Sequence, residues 1–393
     1  MAETPIFETK PMTSFTYFEP LIDGHSTFWA EAILDAATND PRLSTIHLVT
    51  NAQLAARLRD TCKRHGISPE ILPADALAPL TKGNLWTRGQ AQWRTALEIR
   101  AKMQGDVFLP FFDHAVAAAA LDRRDRSGKG QISGVIFRAP NTFGQKLGLN
   151  RNLDHLRRWA SYRLASRNTV KSLFTLDESI TQPKWVGKKQ LLHYLPDPVP
   201  DLQNLHRMTP DLRQDQRANY LLFGSLDARK GIFQMLEAWA MMEPGFHQAN
   251  ALRLVGKLSA KDGLPFRHKL EALRHSTPAM VVEVIDRFVT EAELAQEVCN
   301  AKVILAPYQN HIGSSGVLYW AAAAGKPILG QNSGLMGFLI EKYNLGLAVD
   351  TQNPAVIAKS LGQEPLAKID PRFYQSHTLS AFSKVILDGT ISQ

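Results

Sequence analysis

Short apolar runs alternate with amphipathic segments along the whole chain. Apolar runs of roughly four to eight residues are typical of buried parallel strands, and apolar residues spaced three or four apart are typical of one helix face. In the first half, the pattern predicts strands at 15–21, 46–50, 107–112, 132–138, 172–177 and 191–195, and helices at 28–37, 52–65, 86–103 and 153–167.

The second half repeats this alternation. The pattern predicts strands at 220–225, 252–256, 281–285, 303–306, 327–330 and 345–349, helices at 230–242, 266–275, 291–300, 315–324, 335–343 and 354–361, and a final helix at 373–387. Strands that are separated by helices form parallel sheets with helices on both faces. The predicted fold is therefore α/β, with two Rossmann-like, doubly wound parallel-sheet domains that face a cleft.

A proline-rich segment separates the two halves. Pro196, Pro198 and Pro200 alternate with other residues, and this spacing favours an extended, semi-rigid connector. The predicted organisation is an N-terminal domain at 1–195, a hinge at 196–203, a C-terminal domain at 204–369, and a C-terminal helix and tail at 370–393 that could pack back on the N-terminal domain.

Composition narrows the class of protein. Of the 393 residues, 44% are hydrophobic and 21% are charged, as expected for a globular chain with two sizeable cores. The sequence has neither a long apolar span nor a basic-then-apolar signal peptide, and Cys62 and Cys299 form no CxxC motif. These features argue against a membrane-spanning protein, a disulfide framework and a structural zinc site, and they favour a cytoplasmic location.

The net charge of +8 is unevenly distributed. The window 126–176 contains ten Lys and Arg against one acid, Asp154. Such a field could attract a phosphorylated substrate or the inner face of an anionic membrane, on which residues 153–167 with Trp159 would dock, or it could be a solvated helix face. Nucleic acid is a poor match, because aromatic side chains do not alternate with the cations.

Residues 303–329 predict a strand, a polar loop, a helix and a second strand. Ser314, Ser315 and Gly316 lie where the helix would begin. A helix N-terminus at the carboxyl edge of a parallel sheet is a common anion-binding position. An ordinary strand–helix–strand crossover would give the same pattern, so this segment alone leaves both interpretations open.

A second group of candidate residues follows the strand at 220–225. Gly224 and Ser225 end this strand, and Arg229 and Lys230 lie at the start of the next helix, at the same predicted sheet edge. Two cations beside helix N-termini could bind a diphosphate, although a solvated turn is the alternative. The sequence contains neither GxGxxG nor GxxxxGK followed by Ser or Thr, so it gives no support for a nicotinamide dinucleotide or a P-loop nucleotide.

Four segments resemble glycosyltransferases of the GT-B fold, especially those of family 4. GSLDARKG at 224–231 resembles the family's G-R-L-x-x-x-K-G, and AAGKPIL at 323–329 resembles its E-A-M-A-x-G-K-P-V-I. Residues 290–307 are similar to the segment that leads into the active-site strand, and GLAVD at 346–350 is similar to the closing G-L-L-V. The resemblance is good over 218–362 and weak in the first half.

The resemblance implies transfer of a sugar, of the hexosyl type, from a nucleoside diphosphate sugar to a glycan or lipid-linked acceptor in polysaccharide biosynthesis, with retention and without a metal or other cofactor. The donor would bind the C-terminal domain and the acceptor the N-terminal domain. Lys230 would neutralise the leaving diphosphate. Ser314, Ser315 and Gly316 would donate hydrogen bonds to its phosphates, and the loop that begins at Gly334 would face the donor sugar.

The sequence also departs from the family pattern. The arginine of G-R-L is Ser225 here, so Arg229 could supply the missing charge. The family's E-x7-E pair falls on Ile312 and Trp320, and no Asp or Glu occurs from 298 to 340. The remaining candidates for donor contacts, each of which could instead be a loop or capping residue, are Asp286, Arg287, Gln309, Asn310 and His311.

In the first half, Gly24 and His25 follow the first predicted strand. A glycine there permits close approach of the donor phosphates, although Ser26 could simply cap a helix.

His114 follows the strand at 107–112 and could contact the reacting sugar or act as a base, with Asp113 orienting its ring or capping the helix. Arg138 ends a neighbouring strand at the same predicted edge. A lone histidine is more often structural, so a structural role for His114 stays open.

Three functions remain compatible with the sequence. The two cation and helix-terminus motifs favour a glycosyltransferase, which could contact an anionic membrane peripherally. The missing acidic pair favours a non-catalytic module of the same fold that binds a nucleotide or a glycan. A nucleotide-sugar epimerase, which shares the two-domain architecture, is the third possibility.

Overall fold

The chain forms two α/β units. The computed structural model describes residues 13–21, 26–122, 129–138, 141–143, 149–165, 169–181, 192–200, 202, 217–363 and 370–391. The first unit comprises 1–141, 146–196 and 379–393, and the second comprises 142–145 and 197–378. Each unit contains a parallel sheet with helices, which confirms the predicted fold class.

The first unit is built on a seven-stranded parallel sheet in the order β3-β2-β1-β4-β5-β6-β7. Its strands are β1 Thr13–Glu19, β2 Leu43–Thr50, β3 Glu70–Ile71, β4 Asp106–Leu109, β5 Ile132–Ile136, β6 Val170–Thr175 and β7 Leu192–Tyr194. Its α-helices are α1 Ser26–Thr38, α2 Ala52–Arg57, α3 Arg59–His65, α4 Ala74–Thr81, α5 Leu85–Met103, α6 Val116–Leu121 and α7 Leu149–Ala165, and a 3₁₀ turn spans Glu178–Thr181.

The second unit is built on a six-stranded parallel sheet in the order β10-β9-β8-β11-β12-β13. Its strands are β8 Ala218–Phe223, β9 Asn250–Val255, β10 Val282–Ile285, β11 Ala301–Ala306, β12 Ile328–Gln331 and β13 Gly346–Val349. Its helices are a 3₁₀ turn at Ala228–Lys230, α8 Ile232–Ala240, α9 Pro244–Ala249, α10 Gly263–Ser276, α11 Glu291–Asn300, α12 Gly316–Ala323, α13 Gly334–Lys342, α14 Pro354–Leu361 and α15 Pro371–Ser376. Among the described residues, no helix is both long and apolar enough to cross a lipid bilayer.

Alternate residues of the central strands supply two cores, one on each face of the sheet. In β1, Tyr17 belongs to the core that contains Trp29, whereas Phe18 belongs to the core that contains Trp93. The same division occurs in β8 of the second unit, where neighbouring residues pack into different cores. Both sheets are therefore covered by helices on both faces.

Each sheet has a point at which the direction of strand addition reverses. In the second sheet, β8 and β11 are neighbours, the chain adds β9 and β10 on one side, and it adds β12 and β13 on the other. The helices that follow β8 and β11 pack into different cores on opposite faces of the sheet, and a crevice at the carboxyl ends of such strands is the usual ligand site of a doubly wound sheet. The topology thus identifies this edge before any side chain is considered.

The C-terminal residues form two helices. The predicted helix at 373–387 is wrong at its middle, because α15 ends at Ser376 and a separate helix, α16, spans Leu379–Thr390. His377, which is fully buried, lies in the break, and its ring stacks on Phe373 with centroids 4.2 Å apart. Helix α16 packs on the first unit, where the Ser383 hydroxyl donates to the carbonyl of Ala32.

The structure differs from two other predictions. The single helix expected at 52–65 is interrupted at Leu58, which caps both α2 and α3 and is fully buried. Residues 195–200 of the proline-rich segment belong to no helix or strand, and they are largely buried: Asp197 is 5% exposed, and the Val199 amide donates to the carbonyl of His377. The boundary between the two units falls after Pro196.

Candidate functional site

The candidate residues of the second unit gather at the carboxyl ends of β8 and β11 and in the loops that follow, which we call the β8–β11 edge. Lys230 follows β8, and residues 308–316 follow β11. The two loops touch: the amide of Gln309 donates to the carbonyl of Arg229 at 2.8 Å. Residues that sequence reasoning placed in two separate motifs thus belong to one site.

The turn that carries the cations is held by side-chain caps. Asp227 accepts from the amide of Lys230 at 3.1 Å, and Asp262 accepts from the amide of Ala228 at 3.1 Å. Gly231 then adopts a left-handed φ of +74°, and a Cβ at this position would lie 1.9 Å from the carbonyl oxygen of Pro307. Glycine is required here both by the backbone angle and by the close approach of the β11 loop.

Lys230 is the most informative residue of the site. Its side chain is buried, with 8% of the residue exposed, and the ammonium donates to the carbonyl of Phe223 at 2.7 Å. Within the described part of the chain, no carboxylate lies within ion-pair distance of it. Burying a cation without a counter-ion costs free energy, and a bound anion would offset this cost.

Tyr308 connects the cations to a helix N-terminus. The Lys230 ammonium and the Arg229 guanidinium lie 5.4 Å and 5.5 Å from the centroid of its ring, within cation–π distance. The phenol oxygen of this buried tyrosine is 2.6 Å from Oγ of Ser315, which caps α12 by accepting from the amide of Val317. The positive end of the α12 dipole therefore lies beside two cations.

His311 lies beside Tyr308 in the loop after β11. Its ring centroid is 5.0 Å from that of Tyr308, and its Nε2 lies 3.0 Å from the carbonyl oxygen of Ser314. A carbonyl only accepts, so Nε2 carries the proton and Nδ1 carries the lone pair in the neutral ring. Burial lowers the pKa of His311, and the charges of Arg229 and Lys230 lower it further, despite the opposing effect of the Ser314 hydrogen bond.

The loop of His311 is fixed by a residue that sequence reasoning missed. Gln331, at the end of β12 and 1% exposed, accepts from the His311 amide at 3.2 Å and donates to the carbonyls of His311 and Ser333. Its signal in the sequence is a polar residue that directly ends a buried apolar strand. Tyr308 was missed too, and its signal is an aromatic residue two positions after a strand, at the start of a polar loop.

The loop before α13 packs against the loop that carries His311. Gly334 has a φ of +67°, and a Cβ there would lie 2.3 Å from the carbonyl oxygen of His311. Ser314 Oγ lies 3.1 Å from the Tyr319 hydroxyl, and a Cβ on Gly316 would meet open space. The structure thus brings Ser314 and Gly334 close to His311, while donor binding by these residues and by Ser315 and Gly316 stays a prediction.

Three neighbouring candidates have features typical of loop structure. Gly224 has a φ of +93°, and a Cβ there would lie 2.6 Å from the Lys230 ammonium, while Ser225 is exposed. Asn310 has a φ of +54° and accepts from the side chain of Gln352 at 3.1 Å. Gly224 thus leaves room for the lysine, and Asn310 occupies a left-handed turn.

Arg287 is paired with an acid. Both of its terminal nitrogens bond Glu293, which also forms the capping box of α11 with Thr290. The arginine and the cap together lower the pKa of Glu293 to about 2. The neighbouring Asp286 accepts from the amide of Leu258 and pairs with Lys257 and Arg267. These contacts favour a structural role, and donor binding by Arg287 stays a prediction.

The two positions of the family's acidic pair, Ile312 and Trp320, make structural contacts here. The carbonyl of Ile312 accepts from the amide of Leu335 at 2.8 Å, and the ring of Trp320 packs on Phe223 with centroids 6.4 Å apart. Of the two cations, Arg229 pairs with Asp227 at 3.5 Å, whereas Lys230 has no carboxylate partner among the described residues. Across the described ranges, no group of three or more His, Cys, Asp or Glu side chains is arranged to hold a metal ion.

In the first unit, Asp113 does not orient His114. It accepts from the amides of Phe137 and Arg138 at 2.8 and 3.2 Å, and burial raises its pKa. Nδ1 of His114 instead lies 3.5 Å from the side-chain amide of Gln92, and its ring contacts Phe111. Gly24 and His25, the other candidates of this unit, lie outside the described residues.

The lowered pKa of His311 predicts that the stability of the protein depends on pH. Because its pKa in the folded state is below the unfolded value of about 6.5, its contribution is complete above that pH and is lost as the pH falls. The difference in Tm between the wild type and His311→Gln should therefore narrow from about pH 7.5 to about pH 5.5. Thermal melts of both proteins measure it, and a constant difference would contradict the assignment.

Comparisons of the sequence with models of protein families and with curated proteins give no match. Solved structures, in contrast, match over nearly the whole chain. HepE of Anabaena, in complex with UDP and glucose, has a TM-score of 0.55 at 12% identity, with 96% of each chain covered. Sucrose-phosphate synthase of Thermosynechococcus elongatus has a TM-score of 0.60 at 15% identity, covering 96% of this chain and 95% of that one.

The UDP-forming α,α-trehalose-phosphate synthase of Burkholderia vietnamiensis gives a TM-score of 0.62 at 10% identity, covering 96% of this chain and 99% of that one. Two of the three are synthases of sugar phosphates, and the third was solved with UDP and glucose. At these identities the similarity shows the fold alone, and the chain has the two-domain α/β fold that these enzymes share. Membership of family 4 stays a prediction.

Proposed function

We propose that this protein is a glycosyltransferase that takes a sugar from a nucleoside diphosphate sugar bound at the β8–β11 edge. The observation that carries the proposal is the buried Lys230 ammonium, which has a tyrosine face and a carbonyl beside it and no carboxylate partner among the described residues. Support comes from the fold, because the structural neighbours are glycosyltransferases and one of them was solved with UDP and glucose.

The chemistry of the site fits a departing diphosphate. As the bond to the transferred sugar breaks, negative charge develops on the phosphate oxygen that leaves. Lys230 and Arg229 would stabilise this charge, assisted by the N-terminus of α12, and these donors are already oriented by Tyr308 and by the caps of the turn. Preorganised donors cost no reorganisation at the moment of reaction, so they can supply a large share of the catalytic effect.

The finer assignments belong to the same proposal. With two cations and a helix N-terminus directed at the diphosphate, the site would need no metal, and retention follows only from the resemblance to family 4. The acceptor would be a glycan or a lipid-linked sugar bound through the first unit, with His114 as the candidate contact. His311 would contribute Nδ1 as an acceptor for a donor hydroxyl, because its Nε2 proton is already engaged.

The donor nucleotide can be identified by thermal shift. Among UDP, GDP, ADP, CMP and dTDP, we expect one diphosphate to stabilise the protein, with UDP tested first because HepE was solved with UDP. At about 100 times its dissociation constant, a ligand adds roughly 2.7 kcal/mol to the free energy of unfolding, which gives a clear rise in Tm. No shift with any nucleotide would contradict a donor site at this edge.

Product analysis separates the three functions. With the nucleotide sugar that matches the stabilising nucleotide, a transferase should release nucleoside diphosphate in the presence of a suitable acceptor. A sugar altered without any acceptor would instead indicate an epimerase. Nucleotide binding with no turnover of any sugar would favour the non-catalytic module, for which the missing acidic pair at Ile312 and Trp320 is the specific observation.

A further inference from the structure

Helix α7 has an apolar face that is exposed. Leu149, Leu153, Leu156 and Leu164 are 76%, 46%, 65% and 39% exposed, and Ala160 between them is exposed as well. At 3.6 residues per turn, these five positions fall within an arc of about 80°. Scattered exposed leucines are ordinary, but leucines aligned along four turns of one helix form a continuous surface that favours an apolar partner.

The opposite face of α7 is the one that holds it to its own unit. Tyr162 and Ala165, which point away from the leucines by helical geometry, are 2% and 0% exposed. Trp159 is half-buried and donates from Nε1 to Nε2 of His155 at 3.0 Å, so it lies outside the leucine face. The leucine face is therefore not needed for packing of the helix.

Cations border this face. Arg163 and Arg157, both exposed, flank the leucines on either side, and Arg158 pairs with Asp154 one turn away at 3.1 Å. The window 126–176 contains ten Lys and Arg against that single acid. Two copies of such a face would bring like charges together, which disfavours self-association. An anionic lipid surface instead offers acyl chains to the leucines and negatively charged headgroups to the arginines.

We propose that α7 is a membrane-docking helix, which lies in the plane of an anionic phospholipid surface with its leucines at the boundary of the acyl chains. An interfacial helix combines an apolar face with flanking Lys or Arg, and its affinity depends on buried apolar area and on attraction to anionic lipid. The proposal does not depend on the catalytic activity of the second unit. Docking would place the first unit at the surface where a lipid-linked acceptor resides.

Vesicle co-sedimentation of the full-length protein tests the proposal. We expect the wild type to bind vesicles of equal parts phosphatidylglycerol and phosphatidylcholine and to bind pure phosphatidylcholine weakly. Leu153→Gln/Leu156→Gln should lower the partition coefficient at least about tenfold, since two leucine side chains lose their apolar contact. Arg157→Gln/Arg163→Gln should lower it about fivefold per arginine, and only on the anionic vesicles.

Matched control variants lie on other helices. Leu264, at the start of α10, is 64% exposed, nearly as much as Leu156, and Arg59 at the start of α3 is exposed. Leu264→Gln and Arg59→Gln should bind vesicles like the wild type. Circular dichroism and Tm measurements verify that each variant is folded. We expect all of them to fold, because the substituted positions are exposed. Equal binding to both lipids, unaltered binding of the double leucine variant, or a dimer in light scattering that this variant abolishes would each overturn the proposal.

Discussion

Replacing Lys230 by methionine is expected to abolish donor use while leaving the ligand-free protein as stable as the wild type, or more stable. The ammonium is buried and has only a carbonyl and a tyrosine face beside it, so an apolar side chain of similar length removes an uncompensated charge. Loss of one preorganised donor typically lowers kcat by roughly 10²–10³-fold. The rise in Tm with the stabilising nucleotide should disappear as well.

Lys302 provides the control for this prediction. Its ammonium also lies over a tyrosine ring, 5.7 Å from the centroid of Tyr220, but at the start of β11, away from the carboxyl edge of the sheet. Lys302→Met should keep both the nucleotide-induced shift and the activity. A Lys230→Met protein that still binds nucleotide like the wild type would refute the donor site. A fall in its ligand-free Tm would instead show that the lysine is structural.

Where local chemistry determines an element, the sequence predicted it closely. Helices α11 and α14 have the predicted bounds, because Thr290 and Glu293 form a capping box at one and Asn353 caps the other, ahead of Pro354. The breaks at Leu58 and His377 were not predicted, because both residues continue a helical pattern. Only their burial against other elements explains why the helices end there.

The site was predictable to a similar extent. Lys230 and Ser315 follow from their positions after strands and at helix starts, which the sequence shows directly. The roles of Tyr308 and Gln331 depend on contacts between loops that are far apart along the chain, and no spacing rule reveals these. Likewise, the apolar spacing in α7 identifies a helix, but it does not show which face packs on the rest of the unit and which face is exposed.

A substitution at Gly231 is expected to cause a large loss of stability in the second unit. Alanine there would adopt a φ of +74° and place its Cβ 1.9 Å from the carbonyl oxygen of Pro307. The left-handed conformation costs an L-residue about 1–2 kcal/mol, and relief of the clash adds about 1–3 kcal/mol. Because the displaced backbone leads directly into Tyr308, nucleotide binding should weaken too.

Gly325 separates the two contributions. It has a φ of +64° after α12, and a Cβ there meets nothing within 4 Å, so Gly325→Ala carries the conformational cost alone. Urea unfolding should show a loss of about 1–2 kcal/mol for Gly325→Ala and about 1–3 kcal/mol more for Gly231→Ala, with nucleotide binding affected only in the latter. Equal losses in the two variants would mean that the β11 loop shifts away from the added Cβ at no cost in free energy. The close contact between the two loops would then be unnecessary for the site.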